Sequence, residues 1–232
     1  ISIIEDASHG VGGLYQGQHV GSCLHSDITV FSFHPVKIIT TAEGGAATTN
    51  DSLLASRLSL LRSHGITKDS DSFEFEPAGP WHYEQQALGF NYRLNDLQAA
   101  LGISQLQRLD AIVSERKRLH AFYSYLLSSL PVSLLKIPEE CKPALHLAVI
   151  RLQNNDPALH RHVFDGLRAA GIGVQLHYSP IHLQPFYRRL GFKVGDFPEA
   201  ELYARSAISL PLFPGLTELE QRRVASVLED LL

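Results

Sequence analysis

The sequence predicts an α/β fold, because short β-rich runs alternate along the chain with stretches that have helical periodicity and capping residues. The chain opens on the apolar run Ile1-Ser-Ile-Ile4, which is typical of a strand buried in a parallel sheet. A change of composition after Pro131 indicates a second, smaller α/β unit. We therefore expect two units that divide near residue 130.

The composition argues against several classes of function. Of the 232 residues, 44% are hydrophobic, as in an ordinary globular protein, and no apolar run approaches the roughly 20 residues of a membrane span. A net charge of -4 and a sequence pI near 6.3 provide no basic surface for nucleic acid. Cys23 and Cys141 have no spacing for a zinc site or a redox pair, so we expect a reduced, cytoplasmic protein without a metal.

The start of the chain suggests a piece of a longer protein. The sequence contains no methionine and begins directly on a strand-like run. We therefore expect the N-terminal part to be missing, and any activity inferred here would belong to the longer protein. The opening strand would then lack neighbours, which predicts poor solubility of the fragment alone.

The first unit is expected to contain three strands, one helix and a long irregular segment. The expected strands are residues 1–4, 27–33 and 45–49. Asn50 or Asp51 can cap a helix that reaches Arg62, with leucines at helical spacing on one face. Residues 66–86 lose all periodicity, and a loop of this length is usually functional. We expect it near an active site or a subunit interface.

A long helix and then the second unit should follow. Asn95 and Gln98 form a capping box, and the predicted helix continues to about Ser129 with Leu97, Leu101 and Leu106 among its buried positions. The second unit is expected to contain a strand at 145–152, a helix at 156–171, a strand at 172–178, short helices at 183–190 and 197–206, a strand at 208–210 and a last helix capped by Thr217 with Glu220.

Lys37 is the candidate reactive residue, and it lies in the link between the second and third expected strands. A lysine amine becomes nucleophilic once its pKa is lowered, and it can then form a Schiff base with a carbonyl compound. Pyridoxal phosphate is the usual carbonyl partner, and it also needs an anion at its ring nitrogen, a partner for its ring hydroxyl and donors for its phosphate. Asp6, His9 and Ser32 respectively suit these three needs.

Each of these residues also has an ordinary structural explanation. Lys37 alone would be a surface lysine, and the acid and histidine after the first strand would belong to a turn. His34, His177 and His182 are individually more often structural or exposed than catalytic. The joint order of the residues along the chain is what favours a cofactor site.

A series of short motifs along the chain matches one enzyme family. The motifs are Glu5-Asp6-Ala-Ser-His9, Val20-Gly21, Phe31-Ser-Phe-His34 with Lys37, Thr41-Ala-Glu-Gly-Gly45, Arg62-Ser-His-Gly65, Gly89-Phe-Asn-Tyr-Arg93, Gln98-Ala-Ala-Leu-Gly102 and Gln105-Leu106. In this order the chain resembles the DegT/DnrJ/EryC1/StrS sugar aminotransferases over essentially its whole length. The resemblance implies the C-terminal part of a fold-type I pyridoxal phosphate transferase. Residues 1–130 would come from the large cofactor-binding domain, including the long connecting helix, and 131–232 would form the small α/β domain.

The resemblance also implies roles for individual residues. Asp6 would pair with the pyridine nitrogen, His9 would lie at the ring hydroxyl, Ser32 would bind the phosphate and Lys37 would be the Schiff-base lysine. Asn91 would reach the phosphate held by the neighbouring subunit, so the resemblance implies a homodimer with shared active sites. The family's earlier segment, with a helix N-terminus for the phosphate and an aromatic ring that stacks on the cofactor, is not in this sequence. The chain would then hold about half of a cofactor site.

Within the family, residues 32–37 and 175–181 are most similar to the transaminases of pseudaminic acid biosynthesis. That similarity implies a UDP-linked 4-keto-6-deoxy-N-acetylhexosamine as substrate, aminated at carbon 4, with L-glutamate as the amino donor. The candidate substrate contacts are His34, Arg93, His177, Tyr178, His182 and Tyr187. Another nucleotide sugar, or a cofactor-binding protein without turnover, stays open as an alternative. Related sugar dehydratases carry histidine in place of the Schiff-base lysine, and Lys37 counts against that reading.

Overall fold

The computed structural model describes residues 1–232, which fold as a mixed α/β protein with short strands. The strands are β1 (Ile4–Asp6), β2 (Leu14–Tyr15), β3 (Gln18–His19), β4 (Ile28–Ser32), β5 (Gly45–Thr48), β6 (Ile66–Thr67), β7 (Glu84–Gln85), β8 (Val132–Leu134), β9 (Cys141–Lys142), β10 (Ala148–Leu152) and β11 (Ala207–Leu210). The helices are α1 (Ser52–Arg62), α2 (Asp96–Leu106), α3 (Leu109–Leu126), α4 (Pro157–Ala169), α5 (Pro185–Arg189), α6 (Pro198–Ser206) and α7 (Glu218–Leu231). None of these helices has the length and apolar character needed to cross a membrane.

The chain divides into two compact units. The first unit comprises Ile1–Asp110 with Glu140–Ala144, and the second comprises Ala111–Glu139 with Leu145–Leu232. The division falls earlier than the expected boundary at residue 130. The reason is that α3 contributes Leu119 and Tyr123 to the hydrophobic core of the second unit, so most of this helix belongs there.

The main sheet of the first unit has the strand order β1-β4-β5, with β1 parallel and β5 antiparallel to β4. Because β1 is hydrogen-bonded on one side only, it is an edge strand. Ile1, Ile3 and Ile4 are exposed, so the expectation of a buried opening strand is wrong for this chain. The expected second and third strands are confirmed as β4 and β5.

The helices of the first unit begin where their capping residues predict. Asp51 caps α1 by accepting from the N–H groups of Leu53 and Leu54, and Asn95 with Gln98 forms the capping box of α2. The expected long helix is instead broken between α2 and α3, where the Arg108 N–H bonds the Gln105 carbonyl in a tighter turn. A leucine pattern that continues through one such turn cannot reveal the break.

The expected burial of the α2 leucines is also wrong. Leu97, Leu101 and Leu106 are exposed, and Gly102 is the buried residue of this helix. Gly102 faces Thr41, whose side chain leaves no room for a Cβ atom there. The helix therefore approaches the β4–β5 link with its smallest residue and leaves its apolar side chains at the surface.

The segment 66–86 is more ordered than the sequence suggests. Ile66–Thr67 and Glu84–Gln85 pair as the antiparallel strands β6 and β7. The Glu84 carboxylate accepts hydrogen bonds from the N–H groups of Glu74 (2.7 Å) and Phe75 (2.9 Å), and the His82 ring lies 3.3 Å from it. A single buried acid thus holds the segment in one conformation.

The second unit is built on the antiparallel sheet β11-β10-β8. Its core contains Ile150 and Ile208 from the sheet, Val163 from α4 and Leu228 from α7. The caps predicted for α4 and α7 are confirmed at Asp156 and at the Thr217–Glu220 capping box.

Two predicted strands of the second unit differ in the structure. The strand expected at 172–178 is reduced to one bridge, in which Gln175 and Ser209 exchange hydrogen bonds of 3.2 and 2.8 Å. The strand expected from residue 145 begins only at Ala148, because Leu145 has a positive φ of 57° that extended backbone does not allow. The strand β8 was not predicted.

Candidate active site

Asp6 and Ser32 meet at the carboxyl edge of the parallel pair β1 and β4. Asp6 lies opposite Val30, and Ser32 follows Val30 by two residues. Because side chains alternate between the two faces of a strand, all three lie on the same face of the sheet. The residues of β5 opposite Val30 and Ser32 are Ala47 and Gly45, so this face carries no bulky side chain on β5.

The Asp6 carboxylate is held in its ionised form. The Ser8 hydroxyl donates to its Oδ1 atom at 2.5 Å and the Ser8 N–H donates at 3.0 Å. These two bonds lower the pKa of Asp6, and the charges of His9 and Lys37 add to the effect, while burial opposes it. A fixed anion therefore stands at the end of β1.

Lys37 lies in the link between β4 and β5 and is half-buried. Burial lowers the pKa of its amine, and the Asp6 carboxylate partly offsets the shift. Lys37 therefore stands in the link that follows β4, while Asp6 stands at the end of the neighbouring strand β1.

The neighbouring candidates lie at the surface around this pair. His9 is exposed and acts on Asp6 through its charge. The Nδ1 atom of His34 accepts from the Val36 N–H at 3.4 Å, and its Nε2 atom lies 3.8 Å from the Glu43 carboxylate. His34 is thus oriented by residues of the same link that carries Lys37.

Asn91 and Arg93 occupy an exposed segment of the first unit. Asn91 forms a backbone bridge with Ser63, and its side-chain oxygen accepts from the Arg93 Nε atom at 3.1 Å. Phe90 and Tyr92 stack on each other beside them, with ring centroids 4.8 Å apart, and both are exposed. This segment presents polar and aromatic groups outward together.

The remaining four candidates belong to the second unit. The His177 Nδ1 atom lies 2.9 Å from the Ser209 hydroxyl, and the exposed Tyr178 packs edge-on against the His177 ring. Tyr187 is also exposed and packs edge-on against Phe186.

His182 is different, because it is buried. Its Nε2 atom lies 2.9 Å from the Glu201 carboxylate, which also accepts from the Gly195 N–H at 2.7 Å. These bonds connect the segments around residues 182, 195 and 201. The placement favours a structural role for His182 over the predicted substrate contact.

Sequence reasoning missed Ser8, Glu84 and Glu201. Ser8 had a signal, since an Asp followed two residues later by Ser is typical of a turn in which the carboxylate accepts the later N–H. The two glutamates had none, because their partners come from residues up to 19 positions away. No group of three or more His, Cys, Asp or Glu side chains is arranged to hold a metal ion.

Residues 1–229 match the family described as the DegT/DnrJ/EryC1/StrS aminotransferase family. The chain belongs to this family. Among its relatives, the UDP-4-amino-4,6-dideoxy-N-acetyl-beta-L-altrosamine transaminase of Campylobacter jejuni is 37% identical over 237 residues, covering 100% of this chain and 59% of the relative. Protein MJ1066 of Methanocaldococcus jannaschii is 36% identical over 219 residues, covering 93% and 56%. The chain therefore spans less than two thirds of the length of these relatives.

Solved structures give the same fold. The PMP-form of Spr1654 from Streptococcus pneumoniae matches with a TM-score of 0.92 and 30% identity, covering 100% of this chain and 59% of that one. Helicobacter pylori PseC, an aminotransferase involved in the biosynthesis of pseudoaminic acid, matches with a TM-score of 0.88 and 32% identity at the same coverage. The α/β fold of the fold-type I transferases that the sequence predicts is confirmed by these neighbours.

Proposed function

We propose that the protein to which this chain belongs transfers an amino group from L-glutamate to carbon 4 of a UDP-linked 4-keto-6-deoxy-N-acetylhexosamine, with pyridoxal phosphate as cofactor. The observation that carries the proposal is the placement of Asp6 and Ser32 on one face of the β1–β4 pair, with Lys37 in the link that follows β4, in a member of an aminotransferase family. The sugar is taken from the similarity to the Campylobacter jejuni transaminase and to PseC.

The residues at the sheet edge fit this cofactor. An ionised carboxylate held by two Ser8 donors suits a protonated pyridine nitrogen, because an opposite charge stabilises the protonated ring. Lys37 has an amine whose pKa is lowered by burial, as a carbonyl-binding lysine requires. Ser32 offers a hydroxyl donor for the phosphate, and the small residues Gly45 and Ala47 leave the face open for a flat ring.

The residues of the chain supply the proton transfers. When bound, pyridoxal phosphate supplies an aldehyde and an electron-withdrawing ring. In its neutral form the Lys37 Nζ atom removes the proton from the α-carbon of glutamate, and in the second half of the cycle it returns a proton at carbon 4 of the sugar. Burial favours the neutral amine, while Asp6 stays ionised throughout because Ser8 holds its pKa low.

The surface of the first unit supports a dimer with shared sites. Leu88, Phe90, Tyr92 and Leu97 are all exposed in one stretch of chain, and exposed apolar patches often mark protein–protein interaction sites. Asn91 lies within this stretch, so pairing with a second copy would carry it towards the partner's cofactor phosphate. The proposed sugar contacts are His34, Arg93, His177, Tyr178 and Tyr187. The cytoplasmic location stays a prediction from composition.

The proposal is tested with the full-length protein, glutamate and a panel of UDP-linked 4-ketosugars, with products identified by mass spectrometry. We expect glutamate-dependent amination at carbon 4 of the 6-deoxy-N-acetylhexosamine and no turnover with Lys37→Ala. Retained turnover in Lys37→Ala would contradict the role of the lysine. Amination of a different sugar would keep the reaction and replace the substrate.

A further inference from the structure

The link that carries Lys37 is closed by hydrogen bonds that converge on one carbonyl group. The Phe33 carbonyl accepts from the Thr41 N–H at 3.0 Å and from the Thr40 hydroxyl at 3.1 Å. The same Thr40 oxygen accepts from the Ala42 N–H at 2.9 Å. One hydroxyl group therefore ties the beginning of the link to its end.

The part of the link after Lys37 is more buried than the part before it. Ile38, Ile39 and Thr41 are buried, and Thr41 is only 2% exposed. By contrast, Pro35 and Val36, which precede the lysine, are exposed. Lys37 lies at the junction between these two parts, and its N–H donates to the His34 carbonyl at 2.9 Å.

Ala42 shows why the hydroxyl matters at this point. Its φ of 65° is in the left-handed region, which residues other than glycine adopt infrequently. The Thr40 oxygen provides the acceptor for the Ala42 N–H in that conformation. Without this hydroxyl the link loses one of its two hydrogen bonds to the Phe33 carbonyl and the bond that accompanies the unusual turn.

We propose that Thr40 is a positioning residue for Lys37, because its hydroxyl helps to close the link and so holds the lysine amine in its partly buried position. The importance of this position for catalysis rests on the proposed function. The closure itself concerns only the chain, and it can be measured without the cofactor.

Loosening the link changes the environment of the amine in a defined direction. Burial lowers the pKa of Lys37 and the Asp6 carboxylate partly offsets this, so a freed amine should return towards its ordinary, higher pKa. The other charged groups nearby are His9, which acts on Asp6, and the His34 and Glu43 pair within the link. None of these three is changed by a substitution at Thr40.

The test is competitive labelling of the protein with acetic anhydride across pH, with the Lys37 peptide quantified by mass spectrometry. Thr40→Val keeps the shape of the side chain and removes the hydroxyl, whereas Thr40→Ser keeps the hydroxyl. A matched control is Thr49→Val, since the Thr49 hydroxyl donates to the Asp27 carbonyl at 2.6 Å and accepts from the Asp51 N–H at 3.1 Å. That arrangement is the same, but it lies at the other end of β5.

We expect Thr40→Val to raise the apparent pKa of Lys37 by roughly half a unit to one unit, which lowers its labelling below the pKa about three- to tenfold. Thr40→Ser and Thr49→Val should label like the unchanged protein. If Thr40→Val does not fold, the double variant with Ala42→Gly is used, because glycine accepts the positive φ. An unchanged pKa in a folded Thr40→Val variant, or an equal shift in Thr49→Val, overturns the proposal.

The outcomes also separate this inference from the proposed function. A shifted Lys37 pKa together with no amino transfer by the full-length protein would leave the positioning role standing and remove the reaction. Normal amino transfer by the full-length protein, together with an unshifted Lys37 pKa in Thr40→Val, would leave the reaction standing and remove the positioning role.

Discussion

The two units of the chain differ in where their apolar side chains lie. In the second unit, side chains from α3, α4, α7 and the β11-β10-β8 sheet pack into one continuous hydrophobic core. In the first unit the buried apolar residues are Ala7, Ile38, Ile39 and Ala144, while Leu88 and Leu97 are 90% and 85% exposed. The proposed catalytic residues belong to the first unit, which buries fewer apolar side chains than the second unit does. We infer that this unit is completed by contacts outside itself.

The largest expected effect is on the stability of the second unit. Ile208 is fully buried, and Ile208→Ala should lower the free energy of unfolding by about 3 kcal/mol, since truncation leaves a cavity in a close-packed core. Leu97→Ala should change it by less than about 0.5 kcal/mol in the monomer. Urea unfolding of both variants measures the difference. An equal loss in Leu97→Ala would mean that the first unit has a closed core after all.

The second prediction concerns association of the full-length protein. Leu97→Glu should weaken self-association on the order of 100-fold, because a charge would have to be buried in an apolar contact. Leu219, at the start of α7 in the second unit, is also highly exposed and provides the control Leu219→Glu. Sedimentation analysis of both should show dissociation in the first only. Dissociation in both, or in neither, would contradict an interface on the first unit.

A smaller and local effect is expected at the segment held by Glu84. Burial raises the pKa of this acid, but the N–H donors of Glu74 and Phe75 and the His82 ring outweigh it and lower the pKa overall. Because the folded pKa is depressed, the stabilisation is present above the unfolded value near 4.5 and is lost as pH falls through the folded value.

Trp81 reports this loss, since it is the single tryptophan of the chain and lies in the same segment. We expect its fluorescence to change as the pH falls below 4.5 and through the lower, folded pKa of Glu84. Glu84→Gln should show the altered emission already at neutral pH, while the exposed control Glu76→Gln should behave like the unchanged protein. Identical titrations in all three proteins would show that Glu84 does not hold this segment in its conformation.

The parts of the fold that were predicted correctly depend on neighbours in sequence. The caps at Asp51, Asn95, Asp156 and Thr217 act within three residues, so the sequence contains the complete signal. The incorrect predictions concern strands whose pairing depends on residues that are distant in sequence. The opening strand is exposed because it lacks a second neighbour, and the strand expected at 172–178 has only one bridge.

The candidate site shows the same division. Strand order was enough to predict Asp6 and Lys37 in one site, because ligand chemistry in α/β sheets gathers at the carboxyl ends of strands. The role of Thr40 could be read only from atomic positions, although it lies within three residues of Lys37, whereas the turn formed by Asp6 and Ser8 had a local sequence signal. For His182 the residue type suggested a substrate contact, whereas its burial against Glu201 favours a structural role.

The central claim is that Asp6 and Lys37 hold opposite ends of one cofactor. The most direct measurement is to incubate the full-length protein with pyridoxal phosphate, reduce with borohydride and identify the modified peptide by mass spectrometry. We predict modification at Lys37, with about tenfold less in Asp6→Asn at limiting cofactor, because the ring nitrogen loses its anion. Modification spread over exposed lysines such as Lys117 and Lys136, with no effect of Asp6→Asn, would contradict the account.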